Sequence, residues 1–186
     1  RAFCWHRDDP LPLYGGSETI ASLRRMFPWA MENTKPSYVR PAVHIVDGPF
    51  SVGDLAVTPI PVEHASMETF GYRFALPDGH SLAYLSDVKV IPESSLALLA
   101  DLDVLIIDAL RVKPHPTHMA LEESLATAAA LRPGQTILTH LAHEIGFATI
   151  SADLPAGVSL ARDGLKLLFQ ADSPCAMVEP SSAAPR

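Results

Sequence analysis

The chain has 186 residues, 48% of them hydrophobic, and a formal net charge of −7. That length carries one domain-sized core and argues against two full domains. No cluster of five or more Lys or Arg occurs, so charge gives no support to nucleic-acid binding. No apolar run approaches the roughly 20 residues that a membrane span needs.

Two cysteines, Cys4 and Cys175, sit near opposite ends without a Cys-x-x-Cys motif. A disulfide between them has no special support, and lone thiols suit a reducing, cytoplasmic setting. Residues 1–10 are polar and charged and are not expected to act as a secretory leader. The first residue is Arg rather than Met, and the chain is expected to be a piece of a longer product.

Residues 1–16 read as a leading loop. Ser17–Phe27 is predicted to be a helix capped by Ser17, with Ile20, Leu23, Met26 and Phe27 as its apolar stripe and Pro28 past its end. Residues 28–42 read as irregular, and Val43–Val46 as a short strand ended by Asp47-Gly48. Leu55–Val62 is a strand in which Pro59 and Pro61 mark an edge or an early end. Phe70–Leu76 and Ser81–Leu85 are predicted to pair as a hairpin around Asp78-Gly79. Pro92–Ala100 reads as a helix with proline in its first turn. The apolar run Val104–Ile107, ended by Asp108, is expected to be a buried central strand. A helix is expected from about His118 to Leu131, stopped by Arg132-Pro133-Gly134, and then a strand over Thr136–Leu138. Val158–Leu160 and Leu165–Phe169 are predicted to form a final hairpin across Arg162-Asp163-Gly164. The tail Ala171–Arg186 lacks periodicity and is expected to be disordered. Strands and helices alternate in the second half, which predicts a layered α/β domain.

Several chemically capable residues fall at the ends of predicted strands. His64 follows the strand ending at Val62, where the plain alternative is a surface loop histidine. Asp87 follows Leu82–Ser86, and its two oxygens can bridge two cations; the alternative is a turn or capping aspartate. His140 follows Thr136–Thr139 and would be held rigidly at the sheet edge, unless it is only a satisfied core histidine. His143, three residues on, shares its face if a helical turn begins there. His118 lies in a loop stiffened by Pro114 and Pro116, a setting that suits a positioned acid or base. Its alternative is an exposed histidine after a capping Thr117. Asp108 is placed either to orient a histidine ligand or to begin the following loop. Imidazole and carboxylate together suit borderline cations such as zinc and manganese. No Gly-x-Ser-x-Gly and no Walker-type glycine loop occurs.

The ordered motifs Glu63-His64-Ala65-Ser66, Phe70-Gly71-Tyr72-Arg73, Ala83–Val88, Leu105–Arg111, His115-Pro116-Thr117-His118 and Ile137–Glu144 resemble the metallo-β-lactamase superfamily. Within it they are most similar to the phosphoribosyl 1,2-cyclic phosphate phosphodiesterase branch. The resemblance covers about residues 1–170, which it implies are the C-terminal portion of a single metallo-hydrolase domain. Residues 171–186 are left as a tail. The implied fold is an α/β sandwich of two packed sheets with helices outside. The implied cofactors are two divalent ions, zinc and/or manganese. His64, Asp87 and His140 match metal ligands, Asp87 as the bridge, and His118 matches an acid or phosphate contact. The implied reaction is hydrolysis of a small or cyclic phosphodiester by a cytoplasmic enzyme without membrane or nucleic-acid partners, with a homodimer allowed. The family's His-x-His-x-Asp-His motif occurs nowhere in the chain. The first strands of the fold and this motif are therefore expected to belong to the longer parent, and the chain alone to be nearly inactive. A ribonuclease Z-like enzyme and a non-catalytic binding module are the alternatives.

Overall fold

The computed structural model describes residues 9–32, 38–171 and 173–178. They divide into two compact units, Arg1–Pro49 and Phe50–Arg186. In the first unit, strand β1 (Leu11–Gly15) replaces part of the expected loop and pairs in parallel with β2 (Pro41–Ile45). The pairing spans a long sequence separation and leaves no local turn signal. Between them lie helix α1 (Ser17–Met26) and a single-turn helix α2 (Pro28–Met31). Gly16, not Ser17, is the N-cap of α1, and it makes no side-chain capping bond. Of the predicted stripe only Ile20 is buried, while Met26 and Phe27 are exposed.

The second unit is organised by a seven-stranded sheet in the order β3-β4-β5-β6-β7-β8-β9. Its strands are β3 (Phe50–Val52), β4 (Leu55–His64), β5 (Met67–Ala75), β6 (Ser81–Leu85), β7 (Val104–Asp108), β8 (Gln135–Thr139) and β9 (Val158–Leu160). The pairs from β3 to β6 are antiparallel, and those from β6 to β9 are parallel. The two prolines of β4 fall where its outer side has no strand, because β3 covers only Leu55–Val57. Pro59, Pro61 and Glu63 turn their backbones the same way. Glu63 bonds Val90 through its N–H at 2.9 Å, and the Pro61 carbonyl accepts from Ser95 Oγ at 2.7 Å. The missing proline N–H groups thus cost no ladder bond.

Side chains alternate between two clusters across the sheet. Ala83, Leu85, Leu105, Ile107 and Leu138 pack on one face with Leu99, Met119, Leu121 and Leu125. Those partners come from helix α3 (Glu93–Leu96) with its following 3-10 turn, and from helix α4 (Leu121–Leu131) with the loop before it. Val104 and Ile137 face the other way, onto Cys175, Leu167 and Phe169. Each fully buried aliphatic side chain here contributes about 1.5–3 kcal/mol.

Three expectations change in this unit. Helix α4 begins at Leu121 rather than near His118, with Glu123 accepting the Ala120 N–H at 2.7 Å in place of a Thr117 cap. A short helix, α5 (Phe147–Asp153), was not anticipated. The final hairpin does not form as predicted: β9 joins β8 in parallel, and β10 (Lys166–Gln170) pairs instead with β11 (Ser173–Val178). Ser173–Val178 is therefore a strand where disorder was expected, because Cys175 closes the second apolar cluster. Residues 179–186, and Cys4, lie outside the described residues. Among the described residues, no helix is long and apolar enough to cross a membrane.

Candidate metal centre

Strands β4 and β6 are each antiparallel to β5, so both run in the direction of β7 and β8. Their carboxyl ends therefore meet at one edge of the sheet, the usual place for sites in such sheets. His64 ends β4, Asp87 lies two residues past β6, Asp108 ends β7, and His140 follows β8. The loop from Leu110 to Ala120 folds over the same edge, pinned by Leu110 N–H to the Met119 carbonyl, Met119 N–H to the Val88 carbonyl, and Leu121 N–H to the Arg111 carbonyl. It delivers His118.

One donor atom from each of His64, Asp87 and His118 lies within 4.8 Å of the others. The His118 ring sits at the centre of the cluster, with centroids 4.5 Å from His64 and 4.7 Å, nearly parallel, from His140. His140 Nδ1 lies 4.0 Å from Asp87 Oδ1, and Ser86 Oγ donates to Asp87 Oδ2 at 2.6 Å. His143 is exposed and joins none of these contacts.

The histidine tautomers follow from their partners. His64 Nδ1 lies 2.9 Å from the Thr117 carbonyl, which can only accept, so Nδ1 carries the proton and Nε2 is left as a ligand atom. His118 Nδ1 donates to Asp108 Oδ2 at 2.7 Å, which frees Nε2 in the same way. Asp108 is fully buried and also accepts the Val88 N–H at 3.2 Å. Burial holds its carboxyl above the ordinary range, opposed by the His118 bond. Its other oxygen, Oδ1, has no hydrogen-bond partner. A carboxylate behind an imidazole in this way fixes the ring and strengthens it as a base or ligand.

His140 occupies the left-handed region, with φ of 58°. Neighbouring bonds impose this: Ala109 N–H donates to the Thr139 carbonyl at 3.0 Å, and Ala142 N–H to the Leu110 carbonyl at 2.8 Å. A non-glycine residue held there costs about 1 kcal/mol or more, and such residues concentrate at functional sites.

Sequence reasoning passed over His115. Its ring centroid lies 5.2 Å from that of His118. Burial, and then the Arg111 guanidinium, push its pKa below the usual histidine value. The only signal in the sequence was its place beside two prolines and a second histidine.

A mixed sheet with imidazoles and a carboxylate gathered at its carboxyl edge defines a class of metal-site protein. The profile of the beta-lactamase superfamily domain matches residues 1–141, and the chain belongs to that family. In structure it resembles a diphosphatase from the PhnP family, with 35% identity and a TM-score of 0.75 over 84% of this chain and 57% of that one. It also resembles zinc-bound PqqB from Methylobacterium extorquens, with 23% identity and a TM-score of 0.63 over 84% of this chain and 64% of that one. In sequence it is 27% identical over 175 residues to an octanoyltransferase of Porphyromonas gingivalis, covering 91% of this chain and 34% of that protein. The chain thus spans only part of the length of each of these relatives. The metallo-β-lactamase fold is the one expected from the sequence.

Proposed function

We propose that the chain supplies half of the site of a metal-dependent phosphodiesterase acting on a small or cyclic phosphodiester. The observation that carries this is the approach of His64, Asp87 and His118 donor atoms to within 4.8 Å, with His118 backed by buried Asp108. The 35% identity to a diphosphatase supports phosphorus chemistry. The donor set fits a divalent ion. Zinc with bonds of about 2.0–2.1 Å sets tetrahedral donors about 3.4 Å apart, and the three donor atoms here lie within 4.8 Å of one another, within reach of that spacing by side-chain adjustment. Two free Nε2 atoms and a carboxylate suit zinc or manganese.

When bound, the metal supplies a Lewis acid for the phosphoryl oxygens. The remaining work falls to the chain. The Thr117 carbonyl holds the His64 ring in place, and Ser86 steadies Asp87, whose second oxygen faces His140. His118, with its Nδ1 proton tied to Asp108, presents a lone pair at Nε2; once that atom takes up a proton it can pass it to the leaving oxygen or bind the phosphate. His64, Asp87 and His140 are then the ligands. Three protein donors do not close the shells of two ions, so full activity is assigned to a protein that also carries a His-x-His-x-Asp-His motif. We place that protein in the cytoplasm, with a small-molecule substrate and a homodimer allowed. The net charge of −7 argues against an RNA substrate. Acyl transfer through a thiol gains no support: Cys175, the cysteine among the described residues, is buried, and burial raises its pKa.

The test is hydrolysis of bis(p-nitrophenyl) phosphate with added zinc or manganese, by the 186-residue chain and by a protein that also carries the motif. Activity is expected in the second and near absence in the first. Equal activity, or none in either, contradicts the proposal.

A further inference from the structure

Thr117 fixes two histidines of the site in opposite senses. Its carbonyl receives the Nδ1 proton of His64 at 2.9 Å. Its own backbone N–H points to His115 Nδ1 at 3.3 Å. A backbone N–H can only donate, so His115 Nδ1 must present its lone pair. In the neutral ring the proton then sits on Nε2. The Thr117 hydroxyl lies 3.3 Å from the same Nδ1 and reinforces that choice. His115 is therefore the mirror of His64 and His118: they are left with a lone pair on Nε2, and it carries an N–H there. A metal ion cannot use that atom, but a phosphate oxygen can. Among the described residues Nε2 of His115 has no partner, and its half-buried ring lies beside that of His118.

We infer that His115 is a substrate-contacting residue, donating from Nε2–H to a non-bridging oxygen of a phosphate ester held at the His64, Asp87 and His118 cluster. The inference rests on the phosphodiesterase reading. The loop carrying His115 is braced for this by Arg111, whose Nε and Nη2 donate to the Lys113 and Pro114 carbonyls at 3.1 and 2.7 Å. The prolines at 114 and 116 restrict the backbone on either side of the ring. The position is thus preorganised rather than adaptable.

Two near-isosteric substitutions separate this role from a structural one. Glutamine places an N–H near the position of Nε2, whereas asparagine places an acceptor near Nδ1 and leaves nothing at Nε2. The zinc-loaded chain is titrated with inorganic phosphate, and histidine tautomers are read by 15N NMR. His115 is expected as the Nε2–H tautomer, with its Nε2 resonance moving on phosphate addition. His115→Asn is expected to weaken phosphate binding about tenfold, as for one lost hydrogen bond to a charged oxygen, and His115→Gln by less than threefold. Zinc content stays unchanged in both. The reverse order, an Nδ1–H tautomer, or no phosphate binding by the wild type overturns the inference. Phosphate binding in the expected order, without diester hydrolysis by the motif-bearing protein, overturns only the assigned reaction.

Discussion

Asp108→Asn tests whether the buried carboxylate sets up His118. The side chain is fully buried, and Oδ2 receives both the His118 Nδ1–H at 2.7 Å and the Val88 N–H at 3.2 Å. Asparagine keeps one acceptor oxygen there, so the ring orientation survives, but the bond to His118 loses its charge. A hydrogen bond to a charged group contributes about 1.5–3 kcal/mol and a neutral one about 0.5–1.5. The difference of about 1.4 kcal/mol corresponds to about tenfold, the low end of the 10- to 100-fold typical of partners behind a metal-site histidine. The new amide N–H groups enter the place of Oδ1, which has no hydrogen-bond partner, and are expected to stay unpaired there. That costs about 1–3 kcal/mol, partly offset by removing a charge that burial disfavours. The fold is expected to persist, with the melting temperature a few degrees lower. The assay is zinc affinity by chelator competition, together with turnover per bound metal in the motif-bearing protein. A fall of about tenfold or more in one of them is expected. Both within twofold of wild type would refute the orienting role of Asp108.

His118→Ala in the motif-bearing protein should lower turnover more than metal content; large metal loss with unchanged turnover per bound ion makes it a ligand instead. His140→Gly should relieve the φ of 58° and leave stability equal or up to about 1 kcal/mol higher in urea unfolding, while weakening metal binding. A clear stability loss would mean that the imidazole holds the loop. At the opposite edge of the sheet, His80 Nε2 donates to the Ser173 carbonyl at 2.8 Å and Nδ1 lies 3.1 Å from Asp78 Oδ1. The Ser173 carbonyl, and then Asp78, raise His80 above its ordinary 6.5, and the His80 backbone N–H, and then its ring, lower Asp78 below 3.8. A raised histidine stabilises fully below its unfolded value and loses that contribution as pH rises through the folded one. The lowered aspartate adds stability above its unfolded value and loses it as pH falls through the folded one. Thermal melts should therefore show His80→Ala losing most against wild type between about pH 4 and 6.5, with the gap narrowing toward alkaline pH. Parallel curves would dismiss a pH-dependent contribution from the His80–Asp78 pair.

What the sequence disclosed was governed by range. Val104–Ile107 and Thr136–Leu138 were legible because buried parallel strands are continuous apolar runs, and Asp78-Gly79 announced its hairpin locally. The pairing of β1 with β2 was hidden, since a parallel pair leaves no turn between its strands. Arg162-Asp163-Gly164 misled for the opposite reason. A good local turn lost to the ladder in which Ala161 N–H reaches the Leu138 carbonyl at 2.8 Å, while β10 found β11. Strand-end placement drew attention to His64, Asp87, Asp108 and His140, and the structure gathers them at one edge. The role of His115 was beyond reach, because a residue letter does not say which ring nitrogen holds the proton.

The central claim is that His64, Asp87 and His140 hold a divalent ion beside His118. X-ray absorption of the zinc-loaded chain tests it most directly, with His64→Ala and Asp87→Ala alongside. The expected result is a nitrogen and oxygen shell at about 2.0–2.1 Å with imidazole scattering, losing one imidazole in His64→Ala and one oxygen in Asp87→Ala. A shell unchanged by both substitutions, or no zinc retained by the wild type, would contradict the account.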